Sequence, residues 1–331
     1  MPRSTVPRAQ LVGTGRFSPE RVLTNAELEA MVETSDEWIR SRTGIRERRI
    51  ADSGTGAADM GAAAARRALE EAGLAPEELD MILLSTATPD RLLPSTACDV
   101  QALLGASNAA AYDFATACSG FLYGLGMAEG HIATGQAENV LLICTEKMSS
   151  ILDWSDRTTC VLFGDGAGAA VIRPAEGERG ILSTFMKADG TLSDLLHRPA
   201  GGSRIPIDIA VLDEREHYVH MAGPEVFKAA VRSMCDAAEQ ALRRAGVTAE
   251  EIDLLVPHQA NIRIIEATAR YAGIPMEKVF VNVDRYGNMS SASVPVALDE
   301  AREQGLAGEG SLVLMAAFGA GFTWAASVVR L

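Results

Sequence analysis

No stretch of the sequence approaches the roughly 20 apolar residues that span a bilayer, and Met1-Pro2-Arg3-Ser4-Thr5-Val6 lacks the apolar core of a secretory signal. No membrane segment is expected, and the expected location is cytoplasmic. Positive charge is scarce: 30 Lys and Arg against 44 Asp and Glu leave a formal charge of −14. That balance argues against non-specific binding to nucleic acid or anionic membrane, which needs a basic surface. An anionic partner must find a local basic patch. Cysteine is sparse too. Cys98, Cys118, Cys144, Cys160 and Cys235 stand far apart, without the paired spacing of a zinc site or redox motif. No metal site is expected, and four of the five read as reduced, buried, small apolar residues.

What is present is a large core. A chain of 331 residues, 47% hydrophobic and 22% charged, predicts one big domain or two closely packed halves. The segment from Ala68 to Leu84 resembles the segment from Ala241 to Val256 without gaps, at one constant offset that sets Ala68 against Ala241. Each reads as a helix ending at Gly (Gly73, Gly246), a short acidic turn and a buried strand. Half the chain therefore looks like a copy of the other, with the boundary in the polar stretch 173–180: residues 1–176 form one half and 177–331 the second. Continuous apolar runs predict strands at 81–85, 110–114, 139–144 and 167–172, then at 254–256, 279–283, 311–316 and 323–329. Runs without polar alternation suggest sheets covered on both faces. Helices are predicted over 53–72, 94–104, 121–134, 226–245, 261–272 and 294–304.

Cys118 lies in Ala115-Thr116-Ala117-Cys118-Ser119-Gly120, between a strand-like run and a Gly-rich helix. The partial positive charge and unpaired N–H groups of a helix N-terminus favour a thiolate there, the chemistry of acyl transfer. A core thiol at the end of a central strand explains the same letters. His258, in Pro257-His258-Gln259-Ala260-Asn261, falls at the carboxyl end of a strand, where open α/β sheets bind ligands. It matches Ser85 in the first copy, so the imidazole belongs to one half only. Asn288, in Tyr286-Gly287-Asn288, reads as a turn residue or as an amide donor to a developing oxyanion. Gly164-Asp165-Gly166-Ala167-Gly168 precedes a strand rather than a helix, so it is no dinucleotide fingerprint.

Together these segments resemble the β-ketoacyl-acyl-carrier-protein synthase III family of the thiolase superfamily, through almost the whole chain. The likeness includes Thr34-Ser35-Asp36-Glu37-Trp38-Ile39, Arg42 to Arg48, the Ala-Cys-Ser-Gly turn, Phe163 to Ala169, Pro257 to Asn261, Tyr286-Gly287-Asn288 and Gly321-Phe322-Thr323-Trp324. It implies a thiolase-like α/β fold: two similar halves, each with a mixed five-stranded sheet, layered α-β-α-β-α. It also implies a Cys-His-Asn site of Cys118, His258 and Asn288. Cys118 would take an acyl group from acyl-CoA, with the carbonyl oxygen held by the backbone N–H groups of Cys118 and Ala320. Malonyl-acyl-carrier protein would then lose CO₂, and its carbanion would attack the acyl-cysteine while His258 and Asn288 stabilise the enolate. No cofactor is implied, the CoA thioester being a substrate.

By the same likeness Trp38 and Arg157 would sandwich the adenine of CoA, with Arg42 and Thr43 nearby. Phe227 and Phe318 would line the acyl pocket, joined by Leu93 from the partner of a homodimer. Lys228 and Arg263 would dock the carrier protein, giving the local basic surface that the overall charge demands. Nothing after His258 is Cys or His, which sets the chain apart from thiolases and from elongating ketosynthases. Three alternatives share these residues: an acyltransferase or condensing enzyme of secondary metabolism, a Cys-His-Asn acyl-CoA hydrolase, and a non-catalytic scaffold.

Overall fold

The computed structural model describes residues 8–331; Met1–Val6, read above for a signal, lie outside the described residues. The first half opens with β1 (Ala9–Phe17) and a small hairpin of β2 (Val22–Thr24) and β3 (Glu47–Arg49) that encloses α1 (Asn25–Glu29) and α2 (Asp36–Thr43). It continues through α3 (Ala57–Ala72), β4 (Met81–Ser85), α4 (Thr96–Leu104), β5 (Ala110–Phe114), α5 (Gly120–Ala133), β6 (Val140–Lys147) and β7 (Asp165–Pro174). The second half runs through β8 (Gly180–Ala188), β9 (Leu196–His197), α6 (Ile209–Asp213), β10 (His220–Met221) and α7 (Gly223–Ala245). It closes with β11 (Leu254–Pro257), α8 (Ile262–Ala272), α9 (Val283–Tyr286), α10 (Ser293–Glu303), β12 (Leu312–Gly319) and β13 (Thr323–Arg330).

Among the described residues nine strands form two mixed sheets, ordered β1-β7-β6-β4-β5 and β11-β12-β13-β8, while β2-β3 and β9-β10 pair separately. Along β4, Ile82 and Leu84 face outward onto Ala64, Ala65 and Ala68 of α3, while Leu83 faces inward. Both faces are apolar, which is why the strand shows no polar alternation. Between the sheets lie α5 and α10, whose Phe121, Leu125, Val294 and Leu298 share one core with Leu142 from the first sheet and Val313 from the second. On the far side, Met234, Ala238 and Ile264 of α7 and α8 pack on Leu255, Leu314 and Ala326. These layers are the α-β-α-β-α thiolase-like arrangement expected from the sequence.

The repeat holds in three dimensions at the same offset. Met81 pairs with Val140 in parallel, and their counterparts Leu254 and Val313 pair in the same way. Asp80 accepts from Asn139 N, as Asp253 does from Leu312 N. Glu78 caps Ala75 N, as Glu251 caps Thr248 N. The acidic turns thus tie a helix end to a strand start in both copies, and Gly73 and Gly246 close the preceding helices at φ 61° and 71°.

Some elements differ from the expected ones. The second sheet has four strands, and Val279 makes only a single bridge to Leu255 in the fifth place. The apolar run 279–283 is not a strand because Gln259 accepts from Asn282 N and Val283 N, turning the chain into α9. The first strand of each half, β1 and β8, escaped the apolar-run reading. In β1 the cause is glycine: a Cβ on Gly13 or Gly15 would stand 2.3 Å from a carbonyl oxygen of α3, so close packing removes the apolar letters that mark a strand. Arg48 is wholly buried. It donates to the carbonyls of Leu23 and Val161 and to Asn25 Oδ1, and burial pushes its pKa down to about 10. No helix among the described residues is long and apolar enough to cross a membrane.

Candidate active site

Between β5 and α5 the chain makes one tight 3-10 turn, Ala117–Ser119, that runs directly into the helix. Ala117 adopts φ 46°, a left-handed conformation that strains any residue with a side chain. The turn is held by Ser119 Oγ, which donates to Thr116 O at 2.7 Å and lies 2.7 Å from Thr323 Oγ1 of the opposite half. Gly120 is required here, since a Cβ would stand 2.0 Å from Ser85 Oγ. At Gly319 a Cβ would come 2.6 Å from Cys118 N, so the end of β12 lies against the Cys118 backbone. Cys118 is buried. Burial outweighs the helix N-terminus and, helped by the charge of Glu146, pushes the thiol up to about 12. At neutral pH the sulfur rests as a thiol, not the thiolate expected from its place before a helix.

His258 follows the last residue of β11, and its N–H donates to Ala316 O at 2.8 Å. The side chain is 2% exposed and Nδ1 has no partner among the described residues. Burial drives the imidazole down to about 3, so it is neutral with a single N–H. The other polar residues of this motif are occupied: Gln259 Nε2 donates to Pro257 O and Phe280 O, and Asn261 caps α8 by accepting from Ile264 N. Asn288 comes from a loop pressed against the first half. Its N–H donates to Leu162 O at 2.9 Å and its carbonyl accepts from Gly164 N at 3.1 Å. Gly164 and Gly287 allow this contact, because a Cβ on Gly164 would stand 2.4 Å from Tyr286 O. Ser290 N donates to Asn288 Oδ1 at 2.8 Å, which fixes the amide and leaves its NH₂ for a ligand.

Cys118, His258 and Asn288 open into one cavity of about 800 Å³. Its walls are largely apolar, and Phe227 and Phe318 are among them, Phe318 edge-on to Phe322 with centroids 4.7 Å apart. Trp38, Arg42, Thr43, Arg157, Lys228 and Arg263 also border it. Arg42 and Arg157 both lie over the Trp38 ring, at 5.7 and 5.4 Å, so the indole carries two cations at the exposed end. Arg263 lies over Phe227 at 5.2 Å. The only proton of the Thr43 hydroxyl goes to Ile39 O at 2.6 Å; this residue closes α2 and offers the cavity no donor. Two of the sequence-derived residues lie outside the lining. Leu93 is 85% exposed, and Ala320 sits between Gly319 and Gly321 in the turn after β12.

Sequence reasoning missed a buried polar group behind the sulfur. Ser290 Oγ is 3.6 Å from Cys118 Sγ and donates to Glu146 Oε1 at 3.1 Å. Glu146 is wholly buried at the end of β6. Ser290 belongs to a second 3-10 turn, Ser290–Ala292, which begins at φ 48° and leads into α10 just as Ala117–Ser119 leads into α5. The signal was in the repeat: carrying its offset forward puts Ser290 opposite Ala117 and Ser291 opposite Cys118.

The chain is similar to known proteins over nearly its whole length. Residues 242–331 match the model of the 3-oxoacyl-[acyl-carrier-protein] synthase III C terminal, and residues 112–190 match that of 3-oxoacyl-[acyl-carrier-protein] synthase III. A β-ketoacyl-[acyl-carrier-protein] synthase III of Caldanaerobacter subterraneus subsp. tengcongensis is 53% identical over 97% of each chain. The crystal structure of 3-oxoacyl-[acyl-carrier-protein] synthase III from Aquifex aeolicus superposes with a TM-score of 0.90 at 50% identity, covering 98% of this chain and 100% of that one. The priming β-ketosynthase of the R1128 polyketide pathway reaches the same TM-score at 36% identity, over 99% and 98% of the two chains.

Proposed function

The chain belongs to the 3-oxoacyl-[acyl-carrier-protein] synthase III family and is an acyl-transferring condensing enzyme; from that premise we propose that Cys118 carries the acyl group and that His258 and Asn288 drive the condensation. The observation that carries the reading is one cavity holding the thiol of the first half beside the imidazole and amide of the second. An acyl-CoA enters past Trp38, Arg42 and Arg157, where an indole and two guanidiniums suit a flat base and its phosphates. The Cys118 sulfur attacks the thioester carbonyl, and CoA leaves. Backbone N–H groups of Cys118 and Ala320 receive the oxyanion. Malonyl-acyl-carrier protein then docks by Lys228 and Arg263 and loses CO₂. The enolate that forms takes hydrogen bonds from the neutral His258 ring and the Asn288 amide, whose Oδ1 is already occupied. Carbon–carbon bond formation expels the Cys118 sulfur and yields the 3-oxoacyl thioester.

No metal or redox cofactor takes part in this sequence, because every bond change balances within the two thioesters. The reading includes a cytoplasmic enzyme acting as a homodimer, with the exposed Leu93 completing the partner's acyl pocket. Intact-protein mass spectrometry after mixing with acetyl-CoA is the test. One acyl adduct is expected on the wild type and none on Cys118→Ala, with CO₂ released when malonyl-acyl-carrier protein follows. An adduct that hydrolyses at once without an acceptor would favour the hydrolase, and no adduct with any primer would favour the scaffold. The likeness to the R1128 priming β-ketosynthase favours a second reading, a priming step of secondary metabolism. A panel of acyl-CoA primers, scored by adduct formation, separates the two.

A further inference from the structure

We propose that Ser290 and Glu146 form a relay that takes the Cys118 proton during acylation, stores it on Glu146 while the sulfur carries the acyl group, and returns it when the sulfur is released. The inference rests on Cys118 being the acyl carrier.

Three atoms stand in series: Cys118 Sγ, Ser290 Oγ at 3.6 Å, and Glu146 Oε1 a further 3.1 Å on. Glu146 also accepts from Ser291 Oγ at 2.7 Å, Ser291 N at 3.4 Å, Ala87 N at 3.0 Å and Thr88 Oγ1 at 2.8 Å. Five donors converge on the carboxyl group, which favours its ionised form against the burial that opposes it. The single hydroxyl proton of Ser290 is thereby committed to Glu146, and what Ser290 turns toward the sulfur is a lone pair. It accepts from the thiol. Among the described residues no cation pairs with Glu146; the neighbouring Lys147 ammonium goes instead to the carbonyls of Asp52 and Thr55. A buried carboxylate without a counter-charge takes up a proton readily, and burial pushes Glu146 upward. The titratable side chains that feel its charge are the buried thiols Cys118 and Cys144. His258 is a poor base at a pKa of about 3. The left-handed φ of Ser290 is strain held where it places Oγ between sulfur and carboxylate.

In the acylation step the Sγ–C bond forms and the C–S bond to CoA breaks. The thiol proton passes to Ser290 Oγ as the Ser290 proton passes to Glu146 Oε1, and CoA leaves as a thiolate that takes a proton from water. In the condensation the new carbon–carbon bond expels Sγ, which recovers its proton from Ser290 as Ser290 recovers its own from Glu146. Charge and protons balance over the cycle. Ser290 touches the reacting sulfur, whereas Glu146 is a positioning residue that acts through it.

The test is an infrared difference spectrum of the wild-type enzyme before and after acylation by acetyl-CoA, with the adduct counted by mass spectrometry. A protonated-carboxyl band that shifts in D₂O should grow in, one per acyl group, and vanish when malonyl-acyl-carrier protein is added. Glu146→Gln should lack the band and acylate about a hundredfold more slowly, with part of the rate restored in Glu146→Asp. An acyl adduct without the band, or Glu146→Gln acylating at the wild-type rate, overturns the relay while leaving Cys118 as acyl carrier. No adduct at all removes both.

Discussion

The turn Ala117–Ser119 and the turn Ser290–Ala292 are the same device built twice. Each starts with a non-glycine residue in the left-handed region, at φ 46° and 48°, makes one 3-10 turn and launches a helix between the sheets. What differs is the central side chain and what faces it. Cys118 opens into the cavity beneath Gly319, whereas Ser291 is sealed and donates to Glu146. Likewise Ser85 ends β4 where His258 follows β11, at the same offset between the copies. The two copies thus hold equivalent turns and equivalent strand ends. In the proposed reaction the nucleophile comes from one copy and its partners from the other, so that neither half would hold a complete site.

The strongest way to break this comparison is to move the thiol. Cys118→Ser combined with Ser291→Cys keeps one cysteine and one serine at the paired positions, and condensation should fall by on the order of 10⁴-fold. The sulfur at 291 would face a carboxylate in a closed site. Detection of an acyl adduct at position 291 would show that the two turns are interchangeable. Next in size is His258→Ala. Removing one donor to a developing oxyanion typically costs about 10² to 10³ in rate, so CO₂ release should drop by that amount while one acyl group per chain still forms on Cys118. Equal losses in both steps would place His258 in the first half-reaction as well.

Acid stability separates Ser85 from His258 by charge. The folded protein takes up the His258 proton only below about 3, against an ordinary value near 6.5. Between those values the unfolded chain binds more protons, so stability is full above about pH 6.5 and falls as pH drops, by up to about 1.4 kcal/mol per pH unit from this group. His258→Gln should remove that part of the slope in urea titrations at pH 4 to 6. Ser85, its counterpart, contributes none.

The legible parts of the molecule were those with local signals. Gly73 and Gly246, the acidic turns and the apolar strands repeat as letters, and the same letters mark the matching register of β4 with β6 and of β11 with β12. Cys118, His258 and Asn288 stood out because each follows a strand-like run. Glu146 gave no such sign: it lies near the end of an apolar strand, and its five donors come from two segments, 87–88 and 290–291, that only the fold brings together. Arg48 was hidden for the same reason, since its partners Leu23, Asn25 and Val161 are distant in sequence. Burial of Cys118 likewise depends on both halves, which is why a helix N-terminus alone suggested a thiolate.

The smallest expected effect concerns the two central helices. Counting from the paired turns, Gly120, Gly124, Gly126 and Gly130 of α5 stand opposite Ser293, Ala297, Asp299 and Glu303 of α10. Three of these glycines are explained by contact. A Cβ would meet Ser85 Oγ at 2.0 Å from Gly120, Leu142 Cδ1 at 2.3 Å from Gly124 and Met186 Cε at 3.0 Å from Gly126. Gly130 has nothing within 4 Å and lies on the exposed side of the helix. Its counterpart Glu303 has a function, pairing with Arg16 of the first half, but Gly130 itself only loosens the last turn of α5. Gly130→Ala should therefore stabilise the protein by about 0.5 to 1 kcal/mol and leave acylation and condensation unchanged. Gly120→Ala should do the reverse, because Ser85 cannot withdraw from beneath α5 without disturbing the turn that presents Cys118. Thermal unfolding of the two variants side by side measures the difference. Loss of stability in Gly130→Ala would mean that α5 needs its looseness along its whole length, and not only where it approaches Ser85.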